Sequence, residues 1–396
     1  MTEKLNGFSY QQDWGFKRTP ARPSDLRVLD FDKNYDYDTI WNDAVQVSPE
    51  SMLLIGPPLY STAQWLHENC KFMDMQGRDL TWQYSEMDRA CIVRVTTHGW
   101  MREFMVETPY RRHIFKVSHA SGDFANKKVI VTISKDHPIS WLKQWIDYHK
   151  TVHNVEGLLL YNNRSTLYTS DVLENALARD DMVIKVVEYD VPFGAMGGGL
   201  WEWQGRTGTH LPWDSDFSQY VMLEHAKWRY LHCAKLVINA DTDELLIIKN
   251  STLEGVAEYC ATGEHSVLLY DGIWIEPVDS MTGVVAKDVL FENRCFVNYW
   301  HTTNGDGRGI GIKWMLNPQR NMHYQWHLHK TYGPHVKTGE ITFGHYFAMN
   351  TSWSYARDDF TGDRSDLIEC NLLKTNLEAW QQQQGMTNEG RSGNDT

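Results

Sequence analysis

The sequence predicts an α/β protein: a domain with a largely parallel sheet, preceded by a small β-rich region. Three observations carry this. From Lys127 onward, apolar runs of strand length alternate with stretches of helical periodicity, as the crossovers of a parallel sheet require. Residues 28–125 instead hold short runs with period-two alternation, the mark of half-buried strands. One apolar run, Leu236-Val-Ile238, leads into a tight group of carboxylates, Asp241-Thr-Asp243-Glu244, before the chain turns apolar again.

Residues 1–25 are polar and carry Pro20 and Pro23, so they read as a flexible leader. Residues 26–125 read as a β-rich accessory domain. Residues 51–55 form a strand running into Gly56-Pro-Pro, residues 61–69 a helix, and residues 90–97 a strand. Arg111, His113, Phe115 and Val117 share one side of another strand.

Residues 126–375 read as the α/β domain. The first strand, 129–133, is followed by the turn Ser134-Lys-Asp136-His-Pro138, with proline suited to a first helical position. Ile139, Leu142, Trp145, Ile146, His149 and Val152 then fall on one helix face. His149 on that face reads as a hydrogen-bonded core histidine. A second strand, 157–161, ends in Asn162-Asn163-Arg-Ser165; a helix over 171–180 and a third strand over 182–187 follow. Residues 192–212 are rich in glycine and tryptophan but lack the Gly-x-Gly-x-x-Gly spacing of a dinucleotide loop. They read as a lid with Trp201 and Trp203 free to stack, or as a long surface excursion. Helices are expected over 217–233 and 251–260, and a strand over 267–270 ahead of Asp271-Gly-Ile-Trp-Ile-Glu276. A glycine loop over 302–312 holds Asp306, and Arg357-Asp-Asp-Phe reads as a last helix. Residues 376–396 read as a polar, disordered tail.

Composition narrows the classes. The 396 residues are 42% hydrophobic, and 17 Trp and 19 Tyr supply rings that serve cores and also line sugar-binding clefts. The net charge of −13, with no basic tract, argues against a nucleic-acid partner. The six cysteines include no Cys-x-x-Cys pair, which points to free thiols in a reducing compartment. With no signal-peptide pattern and no apolar run near the ~20 residues of a membrane helix, a cytoplasmic protein without a transmembrane segment is expected. Peripheral attachment to a membrane remains open. His323 and His327 have the spacing of a zinc pair on a helix, but no glutamate stands beside His323 as in His-Glu-x-x-His.

The acid cluster is the chemical centre of the chain. Side chains two apart on an extended chain point to the same side, so Asp241 and Asp243 bring two hard oxygen ligands towards one point. Such a pair suits Mn²⁺ or Mg²⁺ that is also bound by substrate phosphates. An isolated Asp-x-Asp is also common in solvated turns.

Several stretches in series resemble glycosyltransferase family 92 and its family-2-like relatives. Trp145-Ile-Asp-Tyr148-His149, then Gly157 and Tyr161-Asn-Asn163-Arg-Ser165, resembles the pattern Trp-x-x-Tyr-His…Gly…Tyr-Asp-Asn-x-Ser. Asp241-Thr-Asp243-Glu244-Leu resembles the Asp-x-Asp-Glu-Phe metal motif. Gln219 and its helix resemble the segment leading into it. Lys313-Trp-Met-Leu-Asn-Pro318 and Gly344-His345-Tyr346 are similar to later elements. The resemblance spans roughly residues 127–360. Asn162 departs from it where an acid is usual, Leu245 where an aromatic is usual, and the Gly/Trp loop at 194–206 is longer.

The resemblance implies a GT-A fold, a Rossmann-like mixed sheet that binds a nucleotide sugar at its strand ends. It implies that Thr132, Ser134 and Asp136 contact the nucleoside, with Asn162 and Asn163 beside them. Asp241, Asp243 and His345 would hold Mn²⁺ or Mg²⁺, and Lys313 would offset charge on the departing diphosphate. Glu244 would support the metal motif. It implies a UDP-hexose donor, galactose first, inversion at the anomeric carbon, and a glycan acceptor such as capsule or lipopolysaccharide, hence a place in polysaccharide biosynthesis. Inversion needs a general base; the candidates are Glu276, Asp271 and Asp306, in that order. A metal-dependent nucleotidyltransferase would use similar aspartates, but it needs a second carboxylate cluster that the sequence lacks. A non-catalytic sugar-binding protein would explain the aromatics but not the acids.

Overall fold

The computed structural model describes residues 3–11, 14, 16–195, 200–278, 296, 298–302, 311–347, 349 and 366–384. The expected alternation forms one eight-stranded mixed sheet. Its strands in chain order are β1 (Lys128–Ser134), β2 (Gly157–Asn162), β3 (Val183–Glu188) and β4 (Leu236–Asn239). Three more strands belong to it, and β5 (Glu244–Ile248) lies apart. The three are β6 (Val267–Tyr270), β8 (Lys313–Leu316) and β9 (His335–Lys337), with β7 (Gly272–Ile275) also outside the sheet. The spatial order is β3-β2-β1-β4-β8-β6-β9, with Glu3–Lys4 pairing along the outer edge of β3. Only β8 runs against its neighbours among these described strands.

Burial on both faces follows from alternation. In β1, Ile130 enters one core while Val129 and Val131 enter the other. Leu158 and Leu160 of β2, and Leu236 and Ile238 of β4, join Ile130; Leu159, Tyr161 and Val237 join the opposite core. The first face is covered by α1 (Ile139–His153), α2 (Ser170–Leu177) and, later in the chain, the helix Leu253–Thr262. Between them come α3 (Leu200–Thr207) and α4 (Phe217–Ala226), the latter covering the second face with Met222, Leu223 and Ala226. Helix α4 runs on into a π-helical turn, Lys227–Leu231. A second sheet, β5-β10-β7, is completed by β10 (Ile341–Tyr346). Among the described residues no helix is long and apolar enough to cross a membrane.

The accessory region is β-rich as expected. Strands 118–119, 43–48, 51–56, 90–96 and 82–87 form a five-stranded sheet in that order, and strands 112–116, 103–107 and 71–73 form a three-stranded one. Trp41, Phe72, Val93 and Phe104 are in its core. Val45, Leu53 and Ile55 on its other face pack on Tyr220 and Val221 of α4.

Three expectations change. The described residues among the first 25 are not a loose leader. Phe8–Ser9 pairs with Thr39–Trp41, Trp14 is buried, and Arg18 is buried with its guanidinium donating to the carbonyls of Pro58 (2.7 Å), Asp36 (2.5 Å) and Thr39. Polar composition misled here because arginine can be buried when carbonyls satisfy its fork. The tail is helical as far as Gln383: Asn371–Gln383 buries Leu373, Leu377 and Trp380, one stripe at helical spacing, and Trp380 Nε1 donates to Asp147 (2.8 Å). The Gly/Trp stretch contains helix α3 rather than a continuous loop. The helix expected near Arg357 lies outside the described residues.

A buried polar network joins the leader, the accessory sheet and the α/β domain. Asp43, fully buried, accepts from His225 Nε2 (2.9 Å), Arg229 (2.7 Å), Ser118 Oγ (3.1 Å) and the Asn6 amide (3.0 Å). His225 Nδ1 in turn accepts from the Tyr161 hydroxyl (2.7 Å). Glu3 takes a bond from Arg229, from Tyr230 (2.7 Å) and from Lys185 (2.8 Å). Burial alone would raise the Asp43 carboxyl, but the His225 bond and the Arg229 charge outweigh it and hold its pKa below the ordinary value. A depressed folded pKa contributes stability above the unfolded value, and that contribution disappears as pH falls through the folded value. Asp43→Asn is therefore expected to cost roughly 3–5 kcal/mol at neutral pH by urea denaturation, since Arg229 loses a buried partner. The gap between variant and wild type should narrow on acidification below the ordinary aspartate range; a gap that is flat with pH would contradict this role.

Candidate active site

Asp241 and Asp243 follow the C-terminal end of β4, next to the end of β1. Ligand crevices of open α/β sheets form at such carboxyl ends. Glu244 is the first residue of β5 and is opposite His345 of β10, which is opposite Trp274 of β7. The three side chains thus occupy one row across the small sheet.

The strand that carries Glu244 is held from outside the sheet by α1. Trp145 Nε1 donates to the Glu244 carbonyl (2.8 Å), and Tyr148 Oη (2.9 Å) and His153 Nε2 (2.7 Å) donate to that of Leu246. His149 Nε2 accepts from the Leu246 amide (3.3 Å), while its Nδ1 faces the Trp145 carbonyl (2.8 Å). One edge of β5 pairs with β10, and these side chains satisfy its other edge. His149 is thus the core histidine expected, kept neutral as burial pulls it down to about 3. The stretch Trp145–His149 supports the strand that follows the acid pair.

Lys313, at the start of the reversed strand β8, is buried between the acids. Its Nζ is 2.7 Å from Asp241 Oδ2 and 3.3 Å from Glu244 Oε2. Burial would lower its pKa, but Asp241 and Glu244 outweigh that and raise it, so the ammonium stays charged. Glu244 Oε2 also accepts from the Asp241 amide (2.8 Å). Burial pushes the Glu244 carboxyl up to about 7 against the pull of Lys313. His345 Nε2 is 2.9 Å from Asp243 Oδ2, and its ring stacks on Trp274 at 4.1 Å. Burial lowers His345, but Asp243 more than compensates and its pKa is raised.

The expected site residues separate into groups. Asp241, Asp243, Lys313 and His345 come together as pairs, Asp241 with Lys313 and Asp243 with His345. Among the described residues, however, no group of three His, Cys, Asp or Glu side chains is assembled that could hold a metal ion. Thr132 and Asn162 lie at neighbouring strand ends, both buried, and Thr132 Oγ1 and Asn162 Oδ1 find no hydrogen-bond partner among the described residues. Asn162 Nδ2 donates to Ser170 Oγ (3.0 Å). Ser134 is bonded to His137 Nδ1 (2.9 Å). Asp136 and Asn163 are bound into the loops. Asp136 accepts from the amides of Thr166 (2.6 Å) and Leu167 (3.0 Å), and Asn163 donates to the carbonyls of Tyr189 (3.0 Å) and Val191 (2.9 Å).

Of the base candidates, Glu276 is buried and continues β7 one residue past Ile275. Alternation gives it the same side as Trp274. Asp271 is half exposed before β7 and pairs with Lys337 (2.7 Å). Asp306 lies outside the described residues. His323 and His327 share no helix; His327 is bonded to Asp88 of the accessory region (2.9 Å).

His137 was missed by sequence reasoning. Its Nδ1 meets Ser134 and its Nε2 meets Thr242 Oγ1 (3.2 Å), so it bridges the end of β1 to the acid motif. Burial lowers its pKa and favours the neutral ring. The only signal was its place just past a strand end.

No protein-family model matches the chain, and no curated protein matches it. Among solved structures, HddC from Yersinia pseudotuberculosis aligns over 55% of this chain and 92% of its own, at 13% identity and a TM-score of 0.29. S. aureus TarS 1–349 in complex with UDP aligns over 50% of this chain and 48% of its own, at 15% identity and a TM-score of 0.27. The same TarS fragment with UDP-GlcNAc aligns over 50% and 47%, at 12% identity and 0.27. The chain spans about half of TarS 1–349. At such low TM-scores these likenesses carry no argument about function, and the reading rests on the residues.

Removing Lys313 leaves Glu244 buried without its cation. Lys313→Met is expected to destabilise by roughly 3–5 kcal/mol, and adding Glu244→Gln should return part of that loss. Urea unfolding of both single variants and the double variant measures the coupling; additive losses would contradict a direct Lys313–Glu244 interaction.

Proposed function

We propose that the chain is a GT-A-type glycosyltransferase that moves a hexose from a nucleotide-sugar donor, a UDP-sugar first, to a glycan hydroxyl with inversion. The observation that carries this reading is the pair Asp241 and Asp243 at the carboxyl end of β4, backed by a buried, charged Lys313. Thr132 and Asn162 support it, because their unpartnered oxygens at adjacent strand ends suit hydrogen-bond donors of a base or ribose.

The donor set partly fits Mn²⁺ or Mg²⁺. Asp243 and His345 present an oxygen and a nitrogen 2.9 Å apart, and Asp241 supplies a second hard oxygen beside Lys313. An open site of this kind suits an ion that keeps waters and binds substrate phosphates. Asp241 and Asp243 would hold it with donor phosphates and waters, His345 joining as a third ligand once its ring gives up the bond to Asp243, and the ion would supply positive charge to a departing diphosphate. Lys313 contributes charge from the protein itself and, being buried and preorganised, needs no rearrangement to do so. His137 holds Thr242, and with it the acid turn, against the first strand. Glu276 is the base on the acceptor side: it takes the proton of the attacking hydroxyl as the anomeric carbon–oxygen bond to diphosphate breaks, which releases the nucleoside diphosphate.

The test is donor breakdown over a panel of nucleotide sugars with Mn²⁺, with and without EDTA. Release of nucleoside diphosphate that EDTA stops, and that Asp243→Ala lowers by about 100-fold or more, is the expected result. Release of pyrophosphate or nucleoside monophosphate would point to nucleotidyl transfer instead. Glu276→Gln should lower kcat by ~10²–10⁴ with donor binding kept, the size of a lost general base; an unchanged kcat removes Glu276 from this role.

A further inference from the structure

We propose that the cleft between the accessory region and the segment before α4 binds a neutral, hydroxyl-rich oligosaccharide. The cleft has a volume of about 460 Å³ and is lined by Tyr60, Tyr84, Glu86, Asp88, Arg89 and Trp213 among others. Its floor continues from strand Trp82–Met87, the edge strand of the five-stranded sheet. Period-two alternation puts Trp82, Tyr84 and Glu86 on one side of that strand. Trp82 is backed by His67, stacked at 4.1 Å, and Tyr84 is 40% exposed, with its ring centre 6.5 Å from that of Trp82. The strand therefore offers a short row of rings, ending in a carboxylate, along an open edge.

The opposite wall is fixed in place. The Tyr60 hydroxyl donates to the Trp213 carbonyl (3.1 Å). Glu86 accepts the amides of Leu59 (2.8 Å) and Tyr60 (3.1 Å), both on Oε1. Arg89 lies 3.6 Å over the Tyr220 ring and is paired with Asp88 (3.3 Å). Rings expose flat apolar faces suited to the C–H face of a sugar, and the carboxylates accept hydroxyl bonds. Among the described residues that line the cleft, the one arginine is already committed to Asp88 and to an aromatic face, which disfavours a phosphate or sulfate there.

The cleft is linked by hydrogen bonds to the end of β4. Asp88 accepts from His327 (2.9 Å), and the adjacent Leu328 carbonyl accepts from Asn239 at the end of β4 (2.7 Å). The role of a bound sugar as the acceptor rests on the transfer reading; the binding of sugar does not.

The test is retention of the full chain, without donor or metal, on an array of neutral oligosaccharides. The wild type and Asp243→Ala are expected to retain the same glycans, while Tyr84→Ala weakens retention at least tenfold. Tyr84 is half exposed, so its truncation leaves the fold intact; Trp213→Ala checks the opposite wall. An array that retains nothing, or equal retention by Tyr84→Ala, overturns the proposal. Retention that depends on Tyr84, together with no diphosphate release from any donor, overturns the transfer reading and leaves the sugar cleft standing.

Discussion

The acid cluster depends on one buried cation. Glu244 is almost fully buried and Asp241 stands beside it, so without Lys313 the two carboxylates would lose the cation they share. Lys313 reaches them because β8 runs against β4 and β6, which brings its first residue to the end of the sheet where β4 finishes. The single reversed strand is therefore an electrostatic device as well as a topological one. It brings a positive charge from residue 313 to acids some seventy positions earlier in the chain.

A second consequence is mechanical. The acids are on a short turn, and turns are ordinarily mobile. Here the turn is anchored on both sides: by β4 in the large sheet and by β5, whose outer edge is bonded by Trp145, Tyr148, His149 and His153. A row of side chains from α1 does the work of a neighbouring strand. This gives a physical meaning to the Trp145–His149 pattern: it keeps β5 in register.

Much of the architecture was legible in the sequence. The strands β1 to β4, the face of α1 and the β-rich character of residues 26–125 follow from periodicity, because strands buried on both faces must be continuously apolar. The acid motif was legible for the same reason: charge at the end of such a strand is conspicuous. What was not legible depends on partners far away in the chain. Asp271 and Glu276 look alike as loop carboxylates, yet one pairs with Lys337 at the surface and the other is buried beyond Trp274. His137 carries no pattern of its own. Arg18 and Arg22 carry no pattern of their own in a polar stretch, yet Arg18 donates to three carbonyls and Arg22 to Asp214. The helix Asn371–Gln383 was hidden because its last turn is a run of glutamines, Gln381 to Gln383, and its buried stripe is only three residues long.

The path of the first residues bears on the order in which the molecule assembles. Phe8–Ser9 meets Thr39–Trp41 almost at once, but Glu3–Lys4 must wait for Val183–Glu188, and the bond from Lys185 to Glu3 spans 182 positions. On a ribosome, where the chain emerges from its start, the accessory sheets can close while the outermost strand of the large sheet still lacks its partner. Contacts of such long range form slowly because loop-closure entropy must be met first. The bonds of Glu3 can close only when Lys185, Arg229 and Tyr230 are all in place. Until then, the edge of β3 is open to other chains.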